Sequence, residues 1–84
     1  MKQIERVQTG LRLEKRLLKV LKALAEYLDM PVAELIEGMA LYALEGKAPP
    51  FSAELLGKIE GLKAVYGLDL TAADAHQLKE GDIP

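Results

Sequence analysis

Apolar and polar positions alternate near the start of the chain. Val7, Thr9, Leu11 and Leu13 fall on one side, and Arg6, Gln8, Gly10 and Arg12 on the other. A period of two sustained this long predicts a half-buried β-strand, although Gly10 has no side chain to pack in it. From residue 14 the period lengthens. Leu17, Leu18, Leu21, Leu24, Ala25 and Leu28 follow helical spacing, so residues 14–28 are expected to form an amphipathic helix. Lys15, Arg16, Lys19, Lys22 and Glu26 lie mainly on its wet side. The turn Asp29-Met30-Pro31 ends it, because the residue before a proline avoids the helical region.

Pro31 is well suited to open a second helix, expected to run to about Leu44. Its apolar stripe is Val32, Leu35, Ile36, Met39, Ala40 and Ala43. Leu41 and Leu44 extend it, so packing on two sides is expected. Gly46 reads as a stop, and Lys47-Ala48-Pro49-Pro50 as a stiff connector. A third helix is expected from the Ser52 cap to Gly67, with Leu55, Ile59, Leu62 and Tyr66 as its stripe. Thr71 and Asp74 have the spacing of a capping box, which predicts a short last helix carrying Ala75 and Leu78 inward and ending near Gly81. Tyr27-Leu28-Asp29-Met30 and Tyr66-Gly67-Leu68-Asp69-Leu70 resemble each other as two helix exits of similar chemistry.

Length changes the picture. A chain of 84 residues makes one small domain, and half of its residues are hydrophobic, yet it has no Cys for a disulfide. Such a chain buries only about 60–65% of the surface its unfolded form exposes, so a partner chain is expected to add stability. The absence of Cys fits a reducing cytoplasm. The longest apolar run, from Met39 to Leu44, is far below the roughly 20 residues that span a bilayer. The first residues carry no apolar core of a signal peptide, so a cytoplasmic protein without a membrane partner is expected.

Charge adds an asymmetry. The net charge is −2, but residues 1–22 carry seven basic and two acidic residues, whereas residues 23–84 carry four and eleven. The two parts are therefore +5 and −7. Such a split hints at contact with nucleic acid or another acidic surface, against the plainer reading of a solvated face.

Catalytic chemistry is poorly supplied. His76 is the only histidine, with no ligand set at metal spacing, and Ser52 serves best as a cap. Gly57 and Gly61 lie one turn apart and at most hint at close helix packing. No enzyme activity and no cofactor are expected.

A lone strand cannot satisfy its own backbone groups, and no second strand is visible in the chain. The expected partner is the same strand of a second copy, forming an antiparallel ribbon with Val7, Thr9, Leu11 and Leu13 inward. Arg6, Gln8 and Arg12 then point outward. A two-stranded ribbon fits the major groove, where Arg reads guanine and Gln reads adenine.

On these residues the chain resembles the ribbon-helix-helix family, the Arc, MetJ and CopG class of bacterial and phage repressors. Val7-Gln8-Thr9-Gly10-Leu11-Arg12-Leu13 looks like the ribbon, residues 14–28 the first helix, Asp29-Met30-Pro31 the turn, and Val32-Ala33-Glu34-Leu35-Ile36-Glu37 the start of the second. The likeness covers roughly residues 4–46. Asp29 stands where the family often has Gly, and Pro31 where a Ser or Thr cap is common.

The resemblance implies a mainly α fold with one N-terminal strand, built as a ribbon-helix-helix homodimer over residues 1–46. Residues 47–84 form a helical extension packed on that core or on the dimer interface. It implies a sequence-specific transcriptional regulator of repressor type, bound to double-stranded DNA as a homodimer or a dimer of dimers. The implied base-contacting residues are Gln8, Gly10 and Arg12. Arg6 and Lys15 contact phosphates or the flank, and the amides of Val32 and Ala33 hold a phosphate at a helix start. The alternative is a dimeric protein-interaction module, antitoxin-like or a scaffold, with residues 47–84 as the surface for a protein partner.

Overall fold

The computed structural model describes residues 1–81; the last three positions of the expected extension lie outside them. Three helices form: α1 (Lys15–Tyr27), α2 (Val32–Leu44) and α3 (Ala53–Tyr66), followed by a 3₁₀ turn over Ala72–Asp74. Helix α1 is the hub. Helices α2 and α3 each pack on it and, among the described residues, not on one another.

The start of α1 is fixed by Glu14, whose carboxylate accepts the Leu17 N–H at 2.9 Å. That bond satisfies one of the orphan donors of the first turn. The inward face of α1 buries Val20, Leu21, Leu24 and Ala25, and α2 contributes Leu35. Leu17, Leu28, Ile36 and Met39, with Leu55, Ile59 and Leu62 of α3, close half-buried around Leu21, Leu24, Ala25 and Leu35.

All three helices end in the same hydrogen-bond pattern. Met30 N–H reaches Ala25 O at 3.0 Å and Asp29 N–H reaches Glu26 O at 3.1 Å. Lys47 and Gly46 repeat this on Tyr42 and Ala43, and Leu68 and Gly67 on Lys63 and Ala64. The pattern needs one residue in the left-handed region. Gly46 (φ 72°) and Gly67 (φ 66°) supply it without strain, whereas at the end of α1 it falls on Asp29 (φ 57°). The similarity of the exits at Tyr27 and Tyr66 is thus a similarity of backbone geometry.

Three expectations are corrected. Residues 7–13 form no β-strand, and among the described residues there is no strand at all, so the ribbon-helix-helix fold class does not stand. The alternation marks a segment able to lie half-buried, but among the described residues no strand offers it a ladder, and the segment stays exposed. The expected last helix is only the 3₁₀ turn. Its capping box forms, with the Asp74 carboxylate accepting the Thr71 N–H at 2.8 Å, but Leu78 is exposed. Helix α2 does not pack on two sides within the chain, since Leu41 and Leu44 are 65% and 85% exposed.

Candidate nucleic-acid interface

The basic part of the sequence folds into two pieces, an extended arm (residues 1–13) and the wet face of α1. Every residue of the arm is exposed. That includes Val7, Thr9, Leu11 and Leu13, expected as a ribbon core; Val7 is 76% and Leu11 70% exposed. Gln8, Gly10 and Arg12 are also exposed, and a Cβ at Gly10 would meet nothing. The wet face of α1 carries Lys15, Lys19 and Lys22, all exposed. Their i, i+4, i+7 spacing puts the three ammonium groups on one stripe about 10 Å long. Among the described residues none of the three forms an ion pair.

The arginines behave differently. The chain has three, and each is paired. Arg6 grips Glu37 of α2 in a fork, its Nε donating to Oε2 at 2.9 Å and its Nη2 to Oε1 at 2.8 Å. Arg12 donates to the Glu80 carboxylate. Arg16 donates through Nη1 to Gly67 O at 3.0 Å and Asp69 Oδ1 at 2.9 Å, and through Nε to Glu14 Oε2 at 3.3 Å. The hydrogen bond to Arg6, reinforced by its charge, holds Glu37 below the ordinary carboxylate range and raises Arg6 in turn. Glu14 is held low chiefly by the Leu17 N–H, with Arg16 adding to it.

Val32 and Ala33 open α2 behind Pro31, which offers no side-chain cap. The Pro31 carbonyl takes the amides of Glu34 and Leu35 at 3.0 and 3.2 Å, leaving the amides of Val32 and Ala33 outside the helix ladder. The Arg6–Glu37 fork ties the arm to this first part of α2. Arg12 and Lys15 line a second region, a cleft shared with Leu13, Leu78, Lys79 and Glu80. The expected contact residues therefore fall in two groups: Arg6 is bound to Glu37, on the same helix as Val32 and Ala33, and Arg12 shares the cleft with Lys15.

Other chemistry is sparse. An apolar hollow of about 280 Å³ lies between Leu28, Leu35, Met39, Tyr42 and Phe51, with Glu34 as its one charged lining residue. Among the described residues no three His, Asp or Glu side chains gather as a metal site. Gly57 and Gly61 face open space, with no close helix approach. Among the described residues no helix is long and apolar enough to cross a membrane.

The arginine pairing escaped the sequence reading because the partners are 31, 53 and 68 positions apart. Its only signal was the acidic excess after residue 22. Comparison with family models, curated proteins and solved structures finds no match.

Proposed function

We propose that this chain is a homodimeric DNA-binding regulator that grips the duplex with its N-terminal arm and the lysine stripe of α1. The observation that carries the reading is the exposed row Lys15, Lys19 and Lys22, without an ion pair among the described residues and continuous with an arm whose every residue is exposed. Neutralising phosphates with such a row releases counterions and supplies sequence-independent affinity. In this reading Gln8 and Arg12 meet base edges, and Gly10 lets the backbone come close. Arg6 and Lys15 contact phosphates, and the amides of Val32 and Ala33 offer two donors to another. No β-ribbon is part of this reading.

The dimer rests on surface area. The chain exposes 7440 Å². A folded monomer of 9.2 kDa exposes about 4,900 Å². Part of the excess of roughly 2,500 Å² per chain is the exposed arm, and part is apolar helix surface that a second copy would cover. The outward face of α2, with Leu41 and Leu44, is the part of this surface we assign to the second copy. The alternative, a protein-interaction module, draws on exposed Leu56 and Val65 of α3.

The test is titration of duplex DNA with the triple variant Lys15→Gln, Lys19→Gln, Lys22→Gln. The expected result is weaker binding and a salt slope smaller by about 0.9 for each lysine that meets a phosphate. Unchanged affinity and slope overturn the assignment. Capture of a specific protein with no DNA retained at low salt favours the alternative.

A further inference from the structure

Two of the three arginines are held by one segment, residues 67–81. At its near end Arg16 sits against the C-terminus of α3, donating to Gly67 O and Asp69 Oδ1. A guanidinium is well placed there, because the last carbonyls of a helix carry partial negative charge. The left-handed Gly67 then turns the chain off the helix, and Leu68 N–H closes the exit on Lys63 O at 2.9 Å. The Thr71–Asp74 capping box bends the segment again. At its far end Glu80 receives Arg12, beside Leu13 and Lys15 in the shared cleft. The two arginines are four positions apart in sequence, and the two carboxylates that take them are eleven apart. Both ends of the segment therefore land on one short basic stretch.

We infer that residues 67–81 are an acidic strap that occupies Arg12 and Arg16 in the free protein and must be displaced for the arm to engage DNA. This rests on the DNA-binding reading above and adds its regulation. A phosphate is the same kind of acceptor for a guanidinium as a carboxylate, so strap and DNA compete for the same donors. Both pairs are exposed, with Arg12 and Glu80 84% and 69% open to solvent. Exposed ion pairs are weak and screened by salt, so the strap attenuates binding without abolishing it. Lys15, Lys19 and Lys22 form no ion pair with the described part of the strap and make the first contact.

The test compares the full chain with the double variant Asp69→Asn, Glu80→Gln and with a charge-matched control, Glu45→Gln, Glu54→Gln. Each binds a short fluorescent duplex of mixed sequence, followed by anisotropy across a salt series. The strap variant is expected to bind roughly two- to five-fold tighter at low salt, converging with the parent as salt rises. The control is expected to gain less. An equal gain in both doubles, or no gain in either, overturns the strap.

A second measurement does not use DNA. The chain has no native cysteine. A spin label at Lys79→Cys should therefore broaden the amide signals of Arg12 and Lys15, and the strap variant should relieve the broadening. Broadening with no DNA binding by any variant overturns the ligand and with it the regulatory role. DNA binding with no broadening overturns the strap and leaves the ligand in place.

Discussion

Helices α1 and α2 have the same length, and α2 is the more apolar of the two, yet α1 buries four residues and α2 only Leu35. The difference lies in how each is surrounded. Helix α1 has a narrow apolar stripe, covered by α2 on one flank and α3 on the other. Helix α2 is apolar over much of its circumference, but among the described residues α1 is the one helix it packs on. A helix apolar on most sides belongs in an interior. The surplus on α2 is thus material for an interior that one chain does not complete, and the second copy we propose supplies the rest.

The sharpest way to break this comparison is to truncate one leucine on each helix. Leu24, 3% exposed, is the centre of the core, and Leu24→Ala is expected to cost about 3 kcal/mol in chemical denaturation, a large share of the roughly 4–13 kcal/mol a domain of this size has. Leu44 is 85% exposed within the chain, so Leu44→Ala would be close to neutral for a lone chain. If α2 meets a second copy, the same substitution weakens association and makes the melting temperature depend more steeply on protein concentration. A neutral Leu44→Ala at every concentration removes Leu44 from the interface.

Smaller effects sit at the two ends of α1. Glu14→Ala removes the carboxylate that accepts the Leu17 N–H and is expected to cost about 1 kcal/mol. The pH dependence has a definite sign. Glu14 and Glu37 are both held below their ordinary range in the folded chain, Glu14 first by the Leu17 N–H and Glu37 first by Arg6. Their contribution is complete above the unfolded glutamate pKa of about 4.3 and is lost as pH falls through the lower folded values. Stability should therefore decline on acidification below about pH 4, less steeply in Glu14→Ala than in the parent. At the other end, Asp29→Gly relieves a left-handed backbone and should stabilise by roughly 0.5 kcal/mol.

What could be read from the sequence follows the range of the interactions. The three helices were legible because their signals are local: the stripes, the Ser52 cap, Pro31, and the exits at Gly46 and Gly67. The left-handed turn at Asp29 had no such signal, because no glycine marks it as Gly46 and Gly67 mark the other two exits. The arm was misread for the opposite reason. Alternation from Val7 to Leu13 states what such a segment could do beside a partner and not whether the chain provides one. The basic residues of the arm and of α1 were evident in the sequence, but the pairing of the arginines was not. That Arg12 meets Glu80 and Arg16 meets Asp69 depends on how α3 lies on α1 and how the chain turns back after Gly67. No local pattern encodes either.

The proposal joins the unfinished surface of α2 to the basic face of α1, and one measurement addresses both. Light scattering of the protein with a short DNA duplex at low salt gives the mass of the complex. The account predicts a duplex carrying an even number of chains, two at the least, and a free protein of twice 9.2 kDa. A free protein of 9.2 kDa that leaves the duplex at its own mass would contradict it.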